Sequence, residues 1–98
     1  MKIEKTQNEK KLVVALSGRL DTTTAPQLER ELKESLDDIT ELVIDLDALD
    51  YISSAGLRVL LSVYKTMRSK GSMKIANANE LVQEVFEVTG FSSFLPIE

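Results

Sequence analysis

The pattern of apolar and polar residues predicts strands at three places in the first half of the chain. Two runs, residues 2–6 and 11–17, flank a polar tetrapeptide and are expected to pair as a hairpin. Within the second run, Leu12–Leu16 is apolar enough to be buried on both faces. The run Leu42–Leu46 is short, continuous and branched, which is typical of a central strand covered on at least one face.

Helical spacing of apolar residues separates and follows these strands. A first helix is expected to start near residue 24, where Thr24 and Gln27 have the spacing of a capping box. A second helix is expected to leave Ser54, and it is the best specified helix of the chain. Their apolar stripes are Ala25, Leu28, Leu32 and Leu36 in the first, and Leu57, Leu60, Leu61, Tyr64 and Met67 in the second.

The last third of the chain predicts one more strand and one more helix. Residues 73–76 alternate like a strand, and Asn77 or Asn79 is placed to cap a helix that ends at Thr89–Gly90. The tail is expected to return Phe91, Phe94 and Leu95 to the core.

A strand, a helix and a strand in succession imply a parallel crossover. The fold class is therefore α/β: residues 1–98 form one domain, a small mixed sheet of four to five strands with three or four helices packed against it.

Composition narrows the possible functions. Twelve basic and sixteen acidic residues give a net charge of −4, which disfavours nucleic acid and anionic lipid as partners. The absence of Cys and His removes disulfides, the usual zinc sites and the commonest nucleophile and general base. No apolar run is long enough for a membrane span or follows the basic N-terminus, so a cytoplasmic protein is expected. We predict no catalytic residue, no cofactor and no metal.

The chemical signal of the sequence is concentrated at Tyr51–Leu57, which we call the serine corner. A serine at the first turn of a helix has a structural interpretation, in which its hydroxyl caps free backbone N–H groups. It also has a functional one, because those N–H groups and the helix dipole would tolerate a phosphate on the serine. Both interpretations can hold for one residue.

Two features of the serine corner favour function. It lies just beyond the end of a central strand, where open α/β sheets usually place their sites, and Gly56 is expected to leave room for another molecule. Ser54 has no His or Lys nearby in sequence to activate it, which indicates a substrate of another protein's active site and not a nucleophile.

Three segments together resemble a STAS domain of the stand-alone anti-sigma factor antagonist kind: Gly18–Asp21, Leu42–Leu46 and Tyr51–Leu61. The resemblance covers essentially the whole chain. In that family the segment before the helix commonly reads Asp-Ser-Ser/Thr/Ala-Gly-Leu, and a partner anti-sigma kinase phosphorylates the serine after the Asp. Alignment on Gly56 places that serine at Ser54, while Ser53 replaces the usual Asp and is the second candidate.

The resemblance implies a partner-binding surface and a switch. The surface comprises Asp21, Ser53, Ser54, Gly56 and Leu57, and the loop that contains Asp21 is expected to lie beside the serine corner. The unphosphorylated form would bind an anti-sigma factor serine kinase and release a sigma factor. Phosphorylation of Ser54 would inactivate it, a serine phosphatase would restore it, and a monomer is expected.

Phosphorylation at the serine corner would add charge to a neighbourhood that the sequence makes acidic. A phosphoserine carries about −1.5 to −2 charge at pH 7 and is expected to lie near four aspartates, so partner binding should weaken. These aspartates are Asp21, Asp45, Asp47 and Asp50.

Other interpretations remain open. The chain could be a STAS subunit of a transport or signalling complex, in which Ser54 is only a helix cap, or an enzyme that uses a nucleotide. Asp45, Asp47 and Asp50 could form a Mg²⁺ site or a receiver-type phospho-acceptor, although solvated carboxylates are the simpler interpretation.

Overall fold

The elements follow one another in the order β1-β2-α1-β3-α2-β4-α3 in a computed structural model that describes residues 1–98. The strands are β1 (Lys2–Asn8), β2 (Lys11–Leu20), β3 (Glu41–Ile52) and β4 (Ser72–Ala76). The helices are α1 (Ala25–Ser35), α2 (Ser54–Arg68), α3 (Glu80–Thr89) and a short 3-10 turn at Phe91–Ser93. This confirms the α/β fold class, with four strands and three α-helices. None of the helices is both long and apolar enough to cross a membrane.

The four strands form one mixed sheet in the order of the sequence. β1 pairs antiparallel with β2, as the hairpin prediction requires, and β3 runs parallel to both β2 and β4. The tail adds a parallel bridge from Ile97 to Ile75 on the outer side of β4. Leu95 is buried, but Phe94 is 45% exposed, so the expectation that the whole apolar tail returns to the core is only partly correct.

One face of the sheet carries the core. Leu12, Val14 and Leu16 of β2 lie beside Leu42 and Ile44 of β3, and all are buried. They join the apolar sides of the helices in one cluster of 25 buried residues that contains no polar side chain. Burial of this stripe is what stabilises the packing of helices on the sheet.

The opposite face of the sheet is partly open to solvent. Val13, Ala15 and Val43 are only half-buried. The prediction that Leu12–Leu16 is buried on both faces is therefore wrong, because successive side chains of a strand point to opposite faces and only one of them meets helices.

β2 and β3 extend further than the apolar pattern predicts. β3 does not stop at Leu46 but continues to Ile52, because Asp47 and Asp50 face solvent while Leu49 and Ile52 remain buried. The pairing with β2 is irregular in this region, and Gly18 adopts φ +94°, which favours glycine. As a result, both strands end side by side beneath the start of α2.

Candidate functional site

The two serines of the serine corner have different roles. Ser53 is the N-cap of α2, with extended backbone angles, and its Oγ accepts a long hydrogen bond of 3.4 Å from the N–H of Gly56. Its carbonyl accepts the N–H of Leu57 at 3.0 Å, and its own N–H donates to the Leu20 carbonyl at 2.9 Å. Ser53 therefore ties the helix start to the end of β2 and performs the capping role.

Ser54 is the first residue of α2 and is exposed. Its hydroxyl makes no hydrogen bond within the chain, in contrast to that of Ser53. The first N–H groups of a helix have no intrahelical partner, and those of Ser54 and Ala55 find none elsewhere in the chain. The Ser54 hydroxyl therefore lies at the positive end of the helix dipole, and no acidic residue in the first turn of α2 offsets that positive charge.

The structure contradicts the open approach expected at Gly56 and places both Gly56 and Leu57 beneath the surface. Both are buried, and a Cβ on Gly56 would lie 2.6 Å from Leu20 Cγ and 3.0 Å from Ile52 Cγ1. Gly56 therefore lets the helix start approach the ends of β2 and β3, and it does not open space for another molecule. Leu57 is 2% exposed and anchors the same turn in the core.

Asp21 lies in the loop beside the serine corner, because the preceding residue, Leu20, pairs with Ile52 and its carbonyl accepts the N–H of Ser53. Its Oδ1 accepts the N–H groups of Thr23 and Thr24 at 3.0 and 3.1 Å. Its carbonyl accepts the N–H of Ala25 at 2.8 Å. The structure thus confirms that this loop adjoins the serine corner, as the sequence resemblance implied.

The predicted capping box at the start of α1 is wrong. The Thr24 hydroxyl makes no cap hydrogen bond to α1 and donates to the Arg19 carbonyl at 2.9 Å, while the Gln27 amide donates to Glu31. Asp21 instead orders the turn that leads into α1, because its carboxylate accepts the N–H groups of Thr23 and Thr24 before the helix begins.

The hydrogen bonds around Asp21 keep its carboxylate ionised. The backbone N–H of Thr24 is the largest cause that lowers the pKa of Asp21 below its ordinary value, and the N–H of Thr23, the Thr24 hydroxyl and the charge of Arg19 lower it further. The loop therefore presents a fixed negative charge next to the serine corner.

Arg19 is a feature of the site that our sequence reasoning missed. Its guanidinium stacks over the ring of Tyr51 with 4.3 Å from Cζ to the ring centroid, and its Nε lies 3.8 Å from Oδ2 of Asp21. The signal was present only indirectly, because Arg19 and Tyr51 become neighbours through the irregular pairing of β2 with β3. The side chain places a cation beside Asp21 and over Tyr51, the first residue of the serine corner.

A groove of about 430 Å³ between α1 and α2 begins at the serine corner. Arg58 and Ala55 of α2 line it opposite Pro26 and Glu29 of α1. Arg58 follows Ser54 by four residues, so the two side chains lie on the same side of the helix. This spacing was readable in the sequence but was not used there.

The acidic run does not form a metal centre. Asp45 points away from the serine corner, where its Oδ1 accepts the N–H of Asp47 at 3.0 Å and the amide of Asn77 at 3.1 Å. No group of three or more acidic side chains is placed to hold a metal ion. The expectation that Asp45 adds to the charge around Ser54 is therefore wrong, since it serves the connection after β4.

Comparison with known proteins agrees with this geometry. The family model of the STAS domain matches residues 2–98. BtrV of Bordetella bronchiseptica, to which the role of an anti-sigma factor antagonist is ascribed, is 40% identical over 99 residues, which cover 99% of this chain and 85% of BtrV.

Solved structures give the same result. An anti-sigma factor antagonist from Mycobacterium paratuberculosis has a TM-score of 0.88 at 26% identity, over 98% of this chain and 83% of that one. The Bacillus cell fate determinant SpoIIAA in its phosphorylated form shares the fold, with a TM-score of 0.77 at 16% identity over 99% and 91% of the two chains. The chain belongs to the STAS domain family, and its relatives are named as anti-sigma factor antagonists.

Proposed function

We propose that this protein is an anti-sigma factor antagonist controlled by phosphorylation of Ser54. The unphosphorylated form binds an anti-sigma factor serine kinase and thereby releases a sigma factor. The kinase transfers the γ-phosphoryl group of ATP to Ser54 Oγ, ADP leaves, and the phosphorylated form no longer binds. A serine phosphatase restores the hydroxyl.

The observation that carries this proposal is the free, exposed hydroxyl of Ser54 at a helix N-terminus whose capping is already done by Ser53. Because this hydroxyl is exposed and makes no hydrogen bond within the chain, it is accessible to another protein's active site. No side chain hydrogen-bonds to Ser54 as a general base would, which supports a role as substrate over a role as nucleophile. The names of the relatives support an anti-sigma factor as the partner.

The surface that meets the partner is smaller than the sequence implied. Asp21, Ser53 and Ser54 lie at the surface, whereas Gly56 and Leu57 support them from below. Arg19 adds a cation next to Asp21, so the loop beside the serine corner offers a partner both signs of charge.

Inactivation follows from local electrostatics. A phosphate on Ser54 replaces a neutral hydroxyl by about −1.5 to −2 charge at pH 7. An interface shaped around the neutral hydroxyl would have to desolvate this dianion beside the ionised Asp21, which costs several kcal/mol. The core beneath the serine corner is closely packed around Gly56, so the fold itself need not change.

A direct test is to install phosphoserine at position 54 and measure binding to the cognate anti-sigma factor kinase by calorimetry. We expect the affinity to fall about 100-fold or more, which is about 2.7 kcal/mol or more, because a buried unpaired charge costs several kcal/mol. Ser54→Ala should bind like the wild type. Circular dichroism should be the same for all three proteins.

Phosphoserine at position 62 provides the matched control, because Ser62 lies two turns further along α2. It should lower the affinity much less than phosphoserine at 54. Unchanged binding with phosphoserine at 54 would contradict the switch and favour a STAS subunit of a transport or signalling complex in which Ser54 has no regulatory role.

A further inference from the structure

α3 carries two exposed apolar side chains, Leu81 and Val88, and between them lies Val85, which is half-buried against the core. Val82 and Phe86 point into the core, while Leu81, Val85 and Val88 form a second stripe on one flank of the helix. Leu81 is 54% and Val88 80% exposed, and Phe94 is the only other large apolar side chain with comparable exposure. We call Leu81, Val85 and Val88 the α3 flank.

The spacing of the α3 flank distinguishes it from scattered surface apolar residues, which are common and need no explanation. Its members stand at positions i, i+4 and i+7, so they form one continuous ridge about 10 Å long at 1.5 Å rise per residue. A groove of about 290 Å³ runs along them and is completed by Glu84 and Thr89. This is the ridge-and-groove surface that a second helix packs against.

Charge decides which helix fits. α3 contains Glu80, Glu84 and Glu87 and no basic residue. None of these three glutamates takes part in an ion pair, although other surface carboxylates of the chain do, such as Glu4, Glu29 and Glu41. Glu84 lines the groove beside the apolar ridge, and Glu80 and Glu87 lie further round the same helix. This acidic helix is complementary to an apolar helix face bordered by Lys or Arg.

The same charges argue against two other occupants. A second copy of this chain, packed through its own α3 flank, would bring two helices together that carry unpaired glutamates and no basic residue. An anionic bilayer would likewise be repelled by the three glutamates.

We propose that the α3 flank is a docking site for a basic amphipathic helix of a partner protein. This surface shares no residue with the serine corner or with the groove between α1 and α2, and the proposal goes beyond the switch at Ser54. It gives the domain a second binding surface, which phosphorylation of Ser54 leaves unchanged.

The test uses two synthetic helical peptides of 18 residues, each with leucines at helical spacing on one face. In one peptide lysines flank the leucines, and in the matched peptide glutamates replace the lysines. Amide chemical shifts of the labelled protein are followed by nuclear magnetic resonance during titration. We expect the lysine peptide to shift α3 resonances in a saturable way and to bind at least tenfold more tightly than the glutamate peptide.

Variants locate the interaction. Val88→Ser and Leu81→Ser should each weaken binding of the lysine peptide at least fivefold without lowering Tm, since both side chains are exposed. Glu84→Lys combined with Glu87→Lys should reverse the preference between the peptides. Lys65→Ser, an exposed change on α2, is the control and should leave binding unchanged.

Four results would overturn the proposal. These are equal binding of the two peptides, shifts centred outside α3, a concentration-dependent dimer in sedimentation that Leu81→Ser abolishes, and binding to phosphatidylglycerol vesicles through α3. None of these measurements involves the kinase or Ser54, so their outcome is independent of the test of the switch.

Discussion

The starts of α1 and α2 lie side by side at one end of the sheet, but they are built in opposite ways. Before α1, the Asp21 carboxylate accepts two backbone N–H groups and the Asp21 carbonyl accepts a third. The Thr24 hydroxyl accepts the N–H of Asp21 and donates to the Arg19 carbonyl. At the start of α2, a single long hydrogen bond from Gly56 to Ser53 is the only side-chain cap, and the next hydroxyl is free.

The turn before α1 is therefore rigid, whereas the start of α2 offers groups that can react with another molecule. The turn at Asp21 uses its polar groups internally and so holds a fixed charge in a fixed place. The start of α2 leaves N–H groups and the Ser54 hydroxyl for another molecule, and it is held in position by apolar packing from below. Variants that change one helix start while sparing the other test this contrast.

The largest effect should come from filling the space beneath α2. Gly56→Ala places a Cβ against the fully buried Leu20, and overpacking of this kind costs about 1–3 kcal/mol of unfolding free energy. Urea unfolding measures the loss. Binding to the kinase should weaken as well, because the serine corner is pushed away from the Asp21 loop.

A second variant distinguishes steric conflict from loss of a special backbone shape. In a Leu20→Ala background the closest conflict disappears and only Ile52 Cγ1, at 3.0 Å, still crowds the new Cβ. Gly56→Ala should therefore cost less than in the wild type, all the more because Ala favours helix over Gly. An equal loss in both backgrounds would show that the contact with Leu20 is not the reason for the glycine.

The two serines should differ in stability as they differ in structure. Ser53→Ala removes the N-cap and should cost about 0.5–2 kcal/mol of unfolding free energy, near the lower end because the hydrogen bond is long. Ser54→Ala removes only an exposed hydroxyl and should change stability by less than about 0.5 kcal/mol. Thermal and urea unfolding of the pair, with wild type as reference, would contradict our assignment if Ser54→Ala proved the costlier change.

The smallest effect concerns pH. The pKa of Asp21 is lowered in the folded state, so its carboxylate adds stability above its ordinary value of 3.8 and loses that contribution as pH falls through the lowered folded value. Asp21→Asn keeps a neutral acceptor but removes this dependence. Urea unfolding from pH 6 down to pH 2.5 should show the difference between wild type and variant shrinking below about pH 4. A difference in unfolding free energy between wild type and variant that stays constant from pH 6 to pH 2.5 would contradict the role of the Asp21 carboxylate.

Much of this fold could be predicted from sequence because its strands and helices have clear periods. The buried face of Leu12 and Leu42, the start of α2 and the Asn79 cap of α3 all follow from local patterns that the tertiary structure does not override. The extension of β3 to Ile52 could not be predicted in this way, because the pairing with β2 becomes irregular where Asp47 and Ala48 are both exposed, and there the continuous apolar run on which the prediction relied ends.

The position of the candidate site could be predicted from the sequence, but the roles of its individual residues could not. The sequence resemblance pointed to Ser54, yet whether Gly56 faces solvent or core depends on where Leu20 and Ile52 lie, which is a tertiary contact between distant residues. The stack of Arg19 on Tyr51 depends on pairing register in the same way. Local patterns carry no information on either.

The most direct test of the central claim is phosphorylation by the cognate anti-sigma factor kinase with ATP, followed by intact-mass analysis of wild type, Ser53→Ala and Ser54→Ala. We predict that wild type and Ser53→Ala each gain one phosphoryl group and that Ser54→Ala gains none. Full labelling of Ser54→Ala, or its loss in Ser53→Ala alone, would contradict the assignment of the switch to Ser54.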